Sequence, residues 1–155
     1  MLRISKLADY GTAVMAYLAK HETSLCNARE IAQHTHLTMA TVSKLLKYLT
    51  NAALLRSVRG VNGGYCLQRA ASEISIADII YALEEQRGLI ECRVQPNNCI
   101  LQQVCKIKGN WQLISKAIEI ALDSVSLEAL ARPQLNVYEI QDLVIEAFRP
   151  SAGAR

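Results

Sequence analysis

The chain has 155 residues, 51% of them hydrophobic, with a formal net charge of +3, which suits one compact domain or a small domain carrying an arm. The charge is uneven: residues 1–70 carry nine Lys and Arg against three Asp and Glu, a surplus of six, while residues 71–155 carry eight against eleven, a deficit of three. The opening Met1 to Asp9 lacks the apolar run and cleavage site of a secretory signal, and the most apolar window, Trp111 to Ala131, holds Lys116, Glu119, Asp123 and Glu128, so a membrane span is not expected and a cytoplasmic location is.

Ser5 can cap a first helix running to about Lys20, with Leu7, Tyr10, Val14 and Leu18 at the three-four spacing of a buried face. Asp9 falls in its first turns, where the helix dipole favours an acid, and Gly11 implies close backbone packing. Asn27-Ala-Arg-Glu30 has the form of a capping box and opens a short helix through Ile31 and Ala32. His34 to Leu37 read as a turn, and Thr38 caps a third helix from Met39 to about Asn51. There Val42, Leu45, Leu46 and Leu49 form an apolar stripe, and Ala40, Thr41, Ser43, Lys44, Lys47 and Tyr48 form the opposite face. A short helix, a tight turn and a helix with a small, polar and basic outer face make the helix-turn-helix pattern. His34 and His36 are turn histidines of a kind more often solvated than metal-bound, and they receive no role.

Leu54 to Arg59 alternates apolar and polar residues, Gly60 to Gly64 breaks the pattern, and Tyr65 to Gln68 resumes an extended segment. Asn62-Gly63 signals a hairpin turn. A hairpin after a helix-turn-helix is a wing, from which Arg56 and Arg59 project toward a phosphate backbone or a minor groove. A plain surface hairpin has the same local pattern; three features in the expected order favour the wing. The fold expected is mostly α with a small β-hairpin wing, the winged helix-turn-helix occupying residues 1–70.

Ser75 caps a fourth helix, with Ile76, Ile79, Ile80 and Leu83 on one side, that ends at Gly88. Residues 71–108 thus form a connecting helix and a cysteine-bearing loop. A long helix follows from Asn110 to about Ala131. Trp111, Ile114, Ile118, Ala121 and Val125 step along it like a coiled-coil seam, and Leu113, Ala117, Ile120 and Leu127 make a second apolar face. Such a helix needs cover on two sides. Its own domain supplies one, and a second copy of the chain the other, so residues 109–131 read as the dimerisation helix of a homodimer on a two-fold DNA site. Pro133 stops the helix; the extension 132–155 holds a last amphipathic helix from Val137 to Phe148 and a frayed tail.

Three of the five cysteines fall in one stretch, Cys92, Cys99 and Cys105, with six and then five residues between them. An odd count in a reducing compartment argues for metal or redox chemistry over a disulfide framework. The gaps are wider than the tight pairs of structural zinc sites and suit a loop folded around a larger object, such as an iron–sulfur cluster held by thiolates and completed by a fourth ligand. Cys26 and Cys66 are candidates for that ligand by chemistry alone, although Cys66 on the wing reads as a small packed hydrophobe. A metal-free thiol–disulfide switch on the same DNA reader, and a winged-helix adaptor for protein partners, are the alternatives. An enzyme is not expected: there is no Ser/His/Asp set, no phosphate-binding glycine loop and no paired acids in a credible pocket.

The opening Met1-Leu-Arg-Ile-Ser-Lys-Leu-Ala-Asp-Tyr10, the wing Ser57-Val-Arg-Gly-Val-Asn-Gly-Gly-Tyr65 and the three spaced cysteines resemble the Rrf-type family of bacterial iron–sulfur transcription regulators, which includes the IscR, NsrR and RirA regulators. The resemblance covers roughly residues 1–131, and the opening is most similar to the branch that regulates the SUF iron–sulfur assembly operon. It implies a homodimer with winged heads and a crossed dimerisation helix, and a 2Fe–2S or 4Fe–4S cluster on Cys92, Cys99 and Cys105 whose state controls binding to double-stranded promoter DNA. Asp9 matches the acid that NsrR-type proteins supply from the first helix of the other subunit. IscR-type proteins have a histidine where this chain has Lys108, which is no ready substitute, and a glutamate where it has Ser43, so the target sequence does not carry over. Arg59 and Gly60 match the family's wing, including its minor-groove arginine. On this reading Thr38, Thr41, Ser43 and Lys44 lie nearest the bases, and Lys47, Tyr48 and Arg56 hold phosphates.

Overall fold

The computed structural model describes residues 4–84, 105–134 and 136–148. Helix α1 spans Lys6–Ala19 and starts where Ser5 Oγ accepts the Ala8 N–H at 3.1 Å. Its buried face is Ala8, Gly11, Val14, Met15 and Leu18, rotated slightly from the expected Leu7–Tyr10 stripe. The reason is Gly11: a Cβ there would collide with Leu83 Cδ1, so the bare backbone turns inward to let Leu83 approach, and Tyr10 swings out to solvent.

Helix α2, Ala28–Thr35, is capped by Asn27, whose Oδ1 accepts the Glu30 N–H at 2.9 Å. Only this half of the expected box is used, because Glu30 Oε1 accepts the Tyr17 hydroxyl at 3.2 Å. The helix also runs two residues further than expected. His34 and Thr35 belong to it, with the His34 ring stacked 4.9 Å from Tyr17 and Thr35 Oγ1 donating to Ile31 O at 2.7 Å. The turn begins at His36, in left-handed backbone at φ 55°. Helix α3, Met39–Asn51, then buries Val42, Leu45, Leu46 and Leu49 as its periodicity requires.

Strands β1, Leu55–Val58, and β2, Gly64–Leu67, pair antiparallel with Leu55 opposite Leu67 and Val58 opposite Gly64. The loop is wider than an Asn-Gly turn: the positive φ falls on Gly60, at 127°, and the Gly63 N–H donates to Gly60 O at 3.0 Å. The segment before α2 anchors the hairpin, since Cys26 and Tyr65 exchange backbone hydrogen bonds of 3.0 and 2.9 Å.

A short 3-10 turn, Ala71–Glu73, leads to α4, Ile76–Leu83, which opens with a complete capping box between Ser75 and Asp78. Helix α4 closes at Leu83, short of the expected Gly88. Glu84 leaves the helix in extended backbone, and its Oε1 accepts the Ser5 N–H at 3.1 Å. Helix α5 spans Lys108–Ser124 and packs against α4. The single helix expected to Ala131 is broken: Val125 is extended, Ser126 caps a new helix, α6, over Leu127–Ala131, and α6 packs back on α1. The break is enforced by a backbone bridge, in which Ile76 N–H donates to Val125 O at 3.0 Å and Leu127 N–H to Ile74 O at 2.7 Å. Helix α7, Val137–Ala147, has a capping box between Asn136 and Glu139 and lies on α5.

The core gathers Met15, Leu18, Ile31, Leu45, Leu46, Leu49, Ile74, Ile79 and Leu127, all essentially inaccessible. No helix among the described residues is long and apolar enough to cross a membrane. A Cβ at Gly64 would lie 2.7 Å from Cys26 O, a clash with backbone that no rotamer change relieves. Gly64→Ala is therefore expected to destabilise the head by about 1–3 kcal/mol and to lower its melting temperature by several degrees; an unchanged melt would show that the wing base can shift freely.

Candidate nucleic-acid interface

Helix α3 is placed by its stripe: with Val42, Leu45, Leu46 and Leu49 in the core, Met39, Ala40, Ser43, Lys44, Lys47 and Tyr48 must face outward, and all six are exposed. Thr38 is also exposed and Thr41 half-buried, and their hydroxyls lie 2.9 Å apart. Thr38 Oγ1 also accepts the Thr41 N–H at 3.2 Å as the helix cap, so this pair begins the helix in a fixed arrangement. Lys44 Nζ sits 5.7 Å from the centre of the Tyr48 ring, within cation–π range. Helix α3 has no acidic residue in its first turn, which leaves the outer face cationic.

On the wing, Arg59 and Gly60 are exposed in the loop. Arg56 differs from the expectation. It stands opposite Cys66, and its Nη2 reaches Cys66 Sγ at 3.4 Å, so its guanidinium leans back along the sheet while its residue as a whole stays exposed. A groove of about 420 Å³ runs between the α2 cap and the wing, with Asn27, Ala28, Ser57 and Arg59 in its lining. A second groove of about 430 Å³ brings Ser5 and Glu84 together with Lys44 and Tyr48 of α3. Periodicity could not show this second groove, because its residues come from three elements far apart in the chain.

The cysteines divide by accessibility. Cys26 and Cys66 are 1% and 7% exposed, and burial pushes the Cys26 thiol up from its ordinary range. Cys105 is half-exposed, three residues before α5. Cys92 and Cys99 lie outside the described residues. Asp9 is exposed in the first turn of α1. Among the described residues no three His, Cys, Asp or Glu side chains converge on a metal position. The side chains missed from sequence are Met39, exposed at the start of α3, and Glu84 with its bond to Ser5. An outward position on the helix wheel was the available signal for Met39; Glu84 had none.

The model of the Rrf2 family, described as iron-dependent transcriptional regulators, matches residues 4–133. The protein rrf2 of Nitratidesulfovibrio vulgaris is 29% identical over 132 residues, covering 84% of this chain and 88% of its own. The HTH-type transcriptional regulator NsrR of Bacillus licheniformis is 27% identical over 146 residues, covering 93% of each. Among solved structures, CymR, the global cysteine regulator of B. subtilis, superposes with a TM-score of 0.68 at 32% identity over 84% of this chain and 97% of that one. IscR of T. potens gives 0.64 at 27% identity over 96% and 93%. Staphylococcus aureus CymR in its oxidized form gives 0.66 at 33% identity over 86% and 98%. The winged-helix architecture and the family match agree, and the chain belongs to the Rrf2 family of DNA-binding transcriptional regulators, which are not enzymes.

Proposed function

We propose that this protein is a cytoplasmic homodimeric regulator, a repressor, whose binding to promoter DNA is gated by an iron–sulfur cluster held by residues 92–105. The observation that carries this reading is the Glu84–Ser5 bond. Glu84 follows α4, eight residues ahead of Cys92 in the sequence, and it meets the cap of α1 in a groove shared with Lys44 and Tyr48 of the reading helix. On this reading a change between Glu84 and Cys105 reaches the DNA-facing surface through Ser5 on one side and α5 through Cys105 on the other.

The donor set fits the group. Three thiols from one stretch, Cys92, Cys99 and Cys105, supply three soft ligands, and the exposed Asp9 carboxylate can serve a second copy as the fourth. Cys26 and Cys66 are poor alternatives, since reaching outward would open the core. When bound, such a cluster, 2Fe–2S or 4Fe–4S, supplies a centre sensitive to iron and oxidants. The chain's own part would be to supply those thiols between Glu84, which accepts the Ser5 N–H, and Cys105, three residues ahead of α5.

Helix α5 supports the dimer. Trp111, Leu113 and Ile114 are 43%, 72% and 47% exposed, an apolar surface that a second α5 would cover. In the DNA complex Thr38, Thr41, Ser43 and Lys44 lie nearest the bases, Lys47 and Tyr48 hold phosphates, and Arg59 with Gly60 enters the minor groove. Arg56 joins the phosphate contacts by releasing Cys66. The resemblance of the opening residues to the SUF branch makes iron–sulfur assembly genes the proposed target. The CymR likeness favours one second reading, a metal-free thiol switch on the same cysteines, since one such structure is of an oxidized form.

Anaerobic purification followed by iron and sulfide counts separates the two: stoichiometric iron and sulfide support the cluster, and a chain still metal-free after reconstitution supports the thiol switch. Cys99→Ala is expected to abolish the iron and sulfide while leaving a folded dimer by sedimentation; full retention of both would sink the ligand assignment. Asp9→Ala should shorten the cluster's lifetime in air at unchanged helicity, and an identical lifetime would return Asp9 to a helix-dipole role. Arg59→Ala should weaken binding to a selected duplex about tenfold and lower the salt slope by about one; an unaltered slope would contradict a direct DNA contact.

A further inference from the structure

The wing carries an apolar side chain that folding does not use. Val61, in the loop between β1 and β2, is fully exposed, at 105% of its reference area. It touches nothing, so it adds nothing to the stability of the head. Turn chemistry alone would favour Gly, Asn, Asp or Ser at such a position. Single exposed apolar residues are common, so exposure by itself decides nothing; rigidity and position do.

The loop that presents Val61 is held at several points. Gly60 takes a backbone φ of 127° that side-chain-bearing residues rarely adopt, and the Gly63 N–H closes the loop onto Gly60 O at 3.0 Å. A Cβ at Gly63 would strike Val58 O, and one at Gly64 would strike Cys26 O. The wing base is fixed to the rest of the head through the Cys26–Tyr65 bridge. Val61 is therefore offered at a set place two residues from Arg59, with Val58 also exposed beside that arginine. Apolar, cationic, apolar is the composition that suits a minor groove: the cation meets the groove's negative potential, and apolar side chains pack on the deoxyribose walls or press at a base step.

We infer that Val61 is a second, apolar contact of the wing with duplex DNA, seated in the minor groove beside Arg59 and favouring base steps that open easily. The inference rests on the proposed entry of the wing into that groove. An apolar contact releases no counterions, so it is distinguishable from the arginine by its salt response.

The test uses the full-length protein and duplexes selected from a randomised library by the wild type. Titrations across a range of salt compare wild type, Val61→Ser and Arg59→Ala, and the library selection is repeated with Val61→Ser. Val61→Ser is expected to keep the wild-type melting temperature, to weaken binding about five- to tenfold at an unchanged salt slope, and to broaden base preference beneath the wing. If Arg59→Ala weakens binding while Val61→Ser stays within about twofold of wild type and selects the same sequences, the Val61 contact is overturned and the wing reading stands. If neither substitution has an effect, the wing does not enter the groove and both fall together.

Discussion

The structure depends on one joint, where residues 74–76 pair with residues 125–127. Its two backbone hydrogen bonds, from Ile76 to Val125 and from Leu127 to Ile74, are reinforced by Ser75 Oγ donating to Asp123 at 3.1 Å. The same two serines, Ser75 and Ser126, cap the helices that leave the joint, α4 and α6. Interrupting α5 forfeits intrahelical hydrogen bonds, but the pairing replaces two of them, and the turn carries Leu127 into the core with no accessible area. Burying one leucine contributes about 1.5–3 kcal/mol, and Val125 and Ala129 add to it. A straight helix would have carried these residues away from α1. The head is therefore joined to α5 by a paired, largely buried segment rather than a free linker.

This joint also marks how far the sequence could be read. The winged helix-turn-helix was legible because each of its signals is local: Asn27 and Thr38 at helix caps, the Val42–Leu49 stripe, and glycines where the hairpin turns. The Ser75 cap of α4 and the helix stop ahead of Pro133 were legible for the same reason. The continuation of α5 to Ala131 was wrong because the apolar spacing runs on unbroken through Val125 and Leu127, and Ser126 becomes a cap only through backbone pairing with residues fifty positions earlier. The two extra residues of α2 have a similar origin, since His34 is held by stacking on Tyr17 of another helix. Gly11 hinted at close packing, but only the position of Leu83 shows which face it turns inward.

The electrostatics follow the same division. A surplus of positive charge in the first seventy residues was visible from composition, yet where it acts depends on the packing of α3, which leaves Lys44 and Lys47 outward. Arg69 of the same surplus is drawn off into an ion pair with Asp78 and donates to Glu73 O at 3.1 Å. Arg56 rests on Cys66 and meets a phosphate only on leaving it. The cationic surface left for a polyanion is thus narrower than the bare count implies, and it is concentrated on α3 and the wing loop.

The position of α4 gives that surface a physical route to the rest of the chain. Helix α4 packs against α1, α3 and α5 at once. Its last residue, Leu83, fills the space left by Gly11 on α1, close to Leu45 of α3. The next, Glu84, holds the Ser5 N–H at the start of α1. A hydrogen bond to a charged acceptor contributes about 1.5–3 kcal/mol, close to the coupling free energy of about 1–3 kcal/mol found between linked sites in other proteins. On the proposed gating, this contact is of the size such coupling needs, and the neighbouring Leu83 lies near Leu45 on the core side of α3. Tightly packed interiors respond to such displacements by repacking rather than by continuous deformation, so a small movement at the end of α4 can change the presentation of Lys44 and Tyr48 without unfolding the head.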